Sequence, residues 1–198
     1  MIFDTLAPLL LASSSPRRIA LLQALGIDFT AVASDVEERK LDIPPKQLVE
    51  HWAKEKALAV ARRFPSSWVL AADTIVTLDD LVLGKPHDRR EAIKMLKLLS
   101  GRSHEVITGM CLVNRKMEHF QLQTVHSTVR IRALSSEEIE AYVSTGEPLD
   151  KAGAYAVQGS GAFLVEAIHG SYTNVVGLPL CETVNWLSQH RIIVPKRQ

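Results

Sequence analysis

The stretch Leu9-Leu10-Leu11-Ala12-Ser13-Ser14-Ser15-Pro16-Arg17-Arg18 constrains this chain more than any other. An apolar run with no polar alternation reads as a strand buried on both faces, and the change to serines ends it. Ser15 is a good N-cap and Pro16 suits the first helical position, so the spacing predicts a helix from Pro16 to Leu25, closed by Gly26. Such a junction turns backbone N–H groups, serine hydroxyls and two guanidinium groups toward one spot, the outline of a phosphate cradle. The plainer alternative is a capped helix with solvated arginines.

Length and charge narrow the function. A chain of 198 residues can bury a substantial core, as one domain over 1–198 or as two closely packed lobes sharing a sheet. A formal net charge of +1 supplies no general attraction for nucleic acid or anionic lipid. An anion site must then be a local cluster, and DNA or RNA binding is disfavoured. Cys111 and Cys181 stand in no CxxC or Cys/His spacing, which argues against a zinc site or a disulfide framework and fits a reducing, intracellular setting. The N-terminal apolar run is too short and too soon charged for a signal peptide or a membrane span.

Phe29 to Ser34 reads as a strand delivering Asp35, Glu37 and Glu38 into a loop, three carboxylates suited to a divalent cation. A helix from about Pro44 to Phe64 carries the stripe Leu48, Val49, Trp52, Ala53, Ala57, Val60 and Ala61. Lys56 breaks that stripe, in line with Trp52 and Val60, and either snorkels to solvent or presents its ammonium to a phosphate. Trp68 to Ala72 reads as a second strand buried on both faces, ending in Asp73-Thr74. A carboxylate there needs a cation, a metal or hydrogen-bond donors, unless it merely forms a turn. Ile75–Leu78, the pair Asp79-Asp80 and Leu81–Leu83 read as a hairpin returning Gly84-Lys85-Pro86 to the level of Asp73, so Asp73 and Lys85 are expected to face one cleft. The Gly-Lys pair lacks the other positions of a Walker loop.

Asp88-Arg89-Arg90-Glu91 resembles a capping box opening a helix that Gly101 closes. Ser103–Val113 and Leu122–Arg132 read as long strands, the second with Val125, Val129 and Ile131 on one face and His126, Arg130 and Arg132 on the other. His104 and His126 have no ligand-spaced partners and read as structural. Ser135-Ser136-Glu137-Glu138 caps a helix ending at Gly146. Glu147 to Gly161 is rich in charges, then in small residues and glycines, the composition of a loop that lets backbone approach a ligand. Gly159-Ser160-Gly161 alone is a weak signal. Ala162–His169 reads as a strand, 170–177 as a connection, Pro179 as the start of a last helix, and Pro195-Lys196-Arg197-Gln198 as a mobile tail.

Together these stretches resemble the Maf family of nucleotide pyrophosphatases along nearly the whole chain. The likeness rests on Ser13 to Arg18, Glu37-Glu38, Lys54-Glu55-Lys56-Ala57, Ala72-Asp73-Thr74, Lys85-Pro86, Ser100-Gly101 with His104 and Thr108-Gly109, Asp150 to Tyr155, Gln158-Gly159 and Gly177-Leu178-Pro179. Ala156 replaces a common glycine. The resemblance implies an α/β fold related to inosine triphosphatases, with a long mixed sheet, flanking helices and two lobes around a central cleft. It also implies a cytoplasmic homodimer that hydrolyses a nucleoside triphosphate to the monophosphate and pyrophosphate with a divalent cation. Ala72-Asp73-Thr74 and Gln158-Gly159 look like the dTTP/UTP branch rather than the 7-methyl-GTP branch. In the family pattern the aspartate is the proton acceptor, and Arg17, Thr74 and Gln158 match positions tied to substrate choice.

On that basis Ser13, Arg17, Arg18, Lys56 and Lys85 are expected to hold the polyphosphate. Asp73 is expected to take a proton from water, and Glu38, with Asp73, to bind magnesium or manganese through hard oxygen ligands. Gln158 can accept from the imide N3–H and donate to O4 of uracil or thymine, the reverse of the cytosine pattern. The competing readings are hydrolysis of 7-methyl-GTP or another modified nucleotide, and a nucleotide-binding regulator of septum formation.

Overall fold

A computed structural model describes residues 2–39, 41–79 and 81–196; Asp80 of the expected hairpin turn and Arg197 and Gln198 of the expected tail lie outside them. The strands β2 (Leu9–Leu11), β3 (Thr30–Ala31), β4 (Trp68–Leu78), β5 (Leu81–Leu83), β6 (Ser103–Asn114), β7 (His119–Ile131) and β8 (Val165–His169) form a seven-stranded sheet. Its order is β3-β2-β4-β6-β7-β8, with β5 against β4. β2 pairs in parallel with β3 and β4, while β4–β5 and β7–β8 are antiparallel, so the sheet is mixed as expected. β1 (Phe3–Thr5) and β9 (Ile193–Pro195) make a separate antiparallel pair.

The chain forms two compact units. The first comprises the residues up to Asp73, Thr108–Val125 and those from Gly177 onward; the second comprises Thr74–Ile107 and His126–Val176.

In the first unit, alternate residues of β2 and β4 serve opposite faces of the sheet. Leu9, Leu11, Trp68, Leu70 and Ala72 pack with Leu22 of α1 (Pro16–Ala24) and with Trp186 and Leu187 of α6 (Leu180–Gln189). Leu10, Ala12, Val69 and Ala71 pack with Ala53, Ala57, Val60 and Ala61 of α2 (Pro45–Arg63). Two covered faces explain why these strands are continuous apolar runs. α2 lies close against β6. A β-carbon on Gly109 would stand 2.4 Å from the Val49 carbonyl oxygen, so only glycine admits the helix backbone there.

In the second unit, Val76, Leu78, Val106, Val129 and Ile131 share a core with α3 (Arg89–Leu99) and α4 (Ser136–Ser144). Both helices begin at side-chain caps. Asp88 Oδ1 accepts the Glu91 N–H at 2.7 Å, and Ser135 and Glu138 form a reciprocal capping box. Glu91, by contrast, reaches past Asp88 to the His87 N–H.

Several boundaries differ from expectation. β4 does not stop at Ala72. It continues through Asp73 and Thr74 to Leu78, because β-branched and apolar residues carry it onward as a buried strand. The expected strand over Phe29–Ser34 shrinks to Thr30–Ala31. Ala162–Leu164 belongs to a 3-10 turn (Gly159–Leu164), and the connection at 170–177 contains a short helix, α5 (Tyr172–Val176). Pro195 is no part of a loose tail, since β9 pairs with β1 and the Lys196 N–H reaches the Ile2 carbonyl at 2.9 Å. Among the described residues, no helix is long and apolar enough to cross a membrane.

Candidate active site

The first unit gathers Ser13, Arg17, Arg18, Glu38, Lys56 and Asp73. Ser13 follows the end of β2, is buried, and accepts the Ser15 N–H on its hydroxyl at 3.1 Å. Ser15 stands at the N-cap of α1, but its hydroxyl caps nothing; the Ser13 side chain closes the turn instead. Pro16 opens α1, which carries Arg17 and Arg18 in its first turn, both half-buried. Arg18 Nε donates to the Gly177 carbonyl at 2.7 Å, and Nη1 lies 3.5 Å from Ser13 Oγ. Burial lowers the pKa of Arg18; the Asp73 and Glu38 carboxylates pull it back up, and Arg17 adds to the lowering.

Lys56 does not snorkel. It is 8% exposed, and its Nζ lies 2.6 Å from Asp73 Oδ1 and 2.6 Å from Glu38 Oε1. A buried ammonium requires such partners, and Asp73, 6% exposed within β4, requires such a cation. Glu38 is about half exposed and gives the cluster its solvent side.

The trio Asp35, Glu37 and Glu38 does not assemble into a cation site. Asp35 lies 3.5 Å from Arg63, Glu37 lies 2.9 Å from Arg39, and Glu38 turns to Lys56. Among the described residues no group of three or more His, Cys, Asp and Glu side chains converges as metal ligands. Glu38 and Asp73 do meet at one cation, the Lys56 ammonium, each turning a hard carboxylate oxygen toward it, the donor type that a divalent ion prefers.

Thr74, Lys85 and Gln158 belong to the second unit. Thr74 is the half-buried residue after Asp73 on β4. β5 ends at Leu83, short of the exposed Lys85, and the preceding Gly84 carbonyl accepts the Gly153 N–H at 3.1 Å. Gln158 is exposed and extended at the entrance to the 3-10 turn. His104 is buried in the second unit. Its Nε2 is 2.8 Å from Tyr155 Oη, and burial pushes its pKa down to about 4, so it is neutral at ordinary pH. His126 is exposed and 3.9 Å from Glu105.

Two glycines that carry the family resemblance have backbone roles the sequence reading did not assign. The Gly177 carbonyl steers Arg18 from 159 residues away, a backbone role that no side-chain pattern announces. Gly109 sets the depth of α2, a packing role that its place in the Thr108-Gly109 pair does not announce.

A Maf-like family model matches residues 8–190. The chain belongs to the Maf family. The dTTP/UTP pyrophosphatase of Geobacter sulfurreducens is 48% identical to this Maf chain over 177 residues, covering 89% of this chain and 93% of that protein. The dTTP/UTP pyrophosphatase of Symbiobacterium thermophilum is 52% identical over 182 residues, covering 91% and 93%. A solved nucleoside-triphosphatase (dITP/XTP pyrophosphatase) of Mycobacterium abscessus superposes with a TM-score of 0.46 at 16% identity over 93% of this chain and 94% of that one, too loosely to add to the family assignment. Every site residue named above lies within the matched Maf segment.

Proposed function

We propose that this Maf protein hydrolyses dTTP and UTP to the monophosphate and pyrophosphate. The observation that carries the reading is Asp73, a buried strand carboxylate held by Lys56 and coupled electrostatically to Arg18. Relatives named for that reaction support it.

Arg17, Arg18, Lys56 and Lys85 neutralise the phosphate oxygens, and Ser13 with the amides of its turn adds directional donors. Asp73 accepts a proton from the water that attacks phosphorus, and its bond to Lys56 fixes the carboxylate's orientation. Magnesium or manganese, when held by Glu38 and Asp73, supplies Lewis-acid stabilisation of charge on the phosphate oxygens. Thr74 lies beside the proton acceptor, and Gln158 reads the imide edge of the pyrimidine. A homodimer in the cytoplasm completes the proposal.

The test is pyrophosphate release from a panel of nucleoside triphosphates with magnesium or manganese, wild type beside Asp73→Asn. UTP and dTTP are expected to be the best substrates and to be lost in the variant. Turnover of 7-methyl-GTP alone overturns the pyrimidine assignment, and unimpaired turnover by Asp73→Asn overturns the proton acceptor.

A further inference from the structure

The segment carrying Gln158 is held on one side by Glu147 and on the other by Tyr142. Gly146, with φ +77°, turns the chain out of α4, and Glu147 opens the 3-10 turn Glu147–Asp150 with its side chain half-buried. Its Oε1 accepts the Ser160 N–H at 3.1 Å and its Oε2 the Gly161 N–H at 2.8 Å. These amides lead the 3-10 turn Gly159–Leu164, where the turn itself offers no acceptor, so the carboxylate caps it. The Tyr142 hydroxyl accepts the Ala156 N–H at 3.2 Å, and burial, with the Glu147 carboxylate next in weight, raises its pKa. Ala156 precedes Gln158 and Ser160-Gly161 follow it, so Tyr142 and Glu147 between them bracket the glutamine.

The glycines of this segment exist to admit that bracket. A β-carbon on Gly159 would stand 2.2 Å from Glu147 Oε1, at a φ of +68° that already favours glycine. One on Gly161 would stand 2.4 Å from Tyr142 Oη and 2.7 Å from the Ala156 carbonyl. Gly159-Ser160-Gly161 is therefore no open anion nest, because an internal carboxylate already occupies its amides.

We propose that Glu147 is a specificity-determining positioning residue. By fixing the backbone around Gln158 it sets where the carboxamide meets the base, and so the preference for uracil and thymine over cytosine. The proposal rests on Gln158 as the base reader. A carboxamide separates these bases only through paired hydrogen bonds, which tolerate a displacement of about 0.5 Å. Without the bracket the amide remains on the chain but not at its place. The Lys151 ammonium, 3.1 Å from the Glu147 carbonyl oxygen, still anchors the backbone at 147 when the side chain is changed.

The experiment compares kcat and KM for UTP and CTP in wild type, Glu147→Ala, Glu147→Gln, Gln158→Ala and the double variant Glu147→Ala/Gln158→Ala. Glu147→Ala is expected to lower the UTP:CTP ratio of kcat/KM by about tenfold, through the KM for UTP, with kcat within about threefold of wild type. Glu147→Gln, which keeps the shape and loses the charge, falls between. In the Gln158→Ala background, removal of Glu147 changes the ratio no further, and amide hydrogen exchange in Glu147→Ala accelerates at Ser160 and Gly161. A parallel loss for UTP and CTP with the ratio intact overturns the proposal, as does a further loss of ratio in the Gln158→Ala background. Should Glu147→Ala not fold, the near-isosteric Glu147→Gln decides the same comparison. A Gln158→Ala variant with the wild-type ratio removes the base reader itself, a different failure from the other two, which leave it standing.

Discussion

Ser13-Ser14-Ser15 and Gly159-Ser160-Gly161 are both short runs of small residues that present backbone amides at the start of a helical turn, yet their surroundings carry opposite charge. The first has Arg17 and Arg18 on the helix it opens, with Arg18 tied to Gly177 and close to Ser13. The second is filled by Glu147, thirteen residues before Ser160. Backbone chemistry at the two turns is alike, so what each can bind is decided by the side chain that reaches it. A run of small residues identifies a nest; only its tertiary neighbours tell whether the nest is open to an anion.

The largest effect that breaks the comparison is in the first region. Asp73→Asn removes the proposed proton acceptor, and turnover is expected to fall by about 10³-fold with the circular dichroism spectrum unchanged, as measured by pyrophosphate release. Next comes the neutral pair His104–Tyr155, which sets the second unit apart from the charged Lys56 cluster. An unfolded histidine takes its proton near pH 6.5, whereas His104 resists to about 4, so between those values the unfolded chain holds more protons. Stability is therefore expected to fall as pH drops from about 6.5 toward 4, by about 3 kcal/mol at most, and to level off below. Thermal melts of wild type and His104→Gln across that window check it, the variant showing the flatter profile.

A smaller loss follows from crowding the second turn. Gly159→Ala drives a methyl into Glu147 and strains a positive φ, at a cost of about 2 kcal/mol read as a lowered Tm, whereas Ser14→Ala at the exposed first turn costs a few tenths, about 0.3 kcal/mol. The finest test sharpens the comparison directly. Titrated pyrophosphate should shift the amide resonances of Ser14, Ser15, Arg17 and Arg18 and leave Ser160 and Gly161 unmoved, until Glu147→Ala opens the second nest to the anion.

Much of the first region was legible because its signals are local. The Leu9–Ala12 run, the stripe of α2 and the lysine interrupting it at 56 all state their environment through spacing. The partner of Lys56 was legible as a need, since a buried carboxylate at 73 demanded a cation. What stayed hidden depends on pairing between distant segments. β4 passes Asp73 without a break and beyond it pairs with β5 over Val76–Leu78, which the isolated stretch Asp73-Thr74 does not show. Asp35, Glu37 and Glu38 looked like one cluster, but the left-handed backbone at Asp35 and the reach of Arg63 and Arg39 send them apart. β1 and β9 are three residues each, too short for periodicity, and find each other only through the fold.

The contact between Gly109 and Val49 has one more consequence. Main chain meets main chain there, with no side chain between to yield, and Lys56 sits two helical turns farther along the same face of α2. That junction works as a fixed pivot, so trimming an alanine or valine of α2 loosens the layer without changing the height at which the helix rests. Tolerance and activity are thereby separated within one helix: the chain can drift in the composition of its α2 stripe while the ammonium keeps its address.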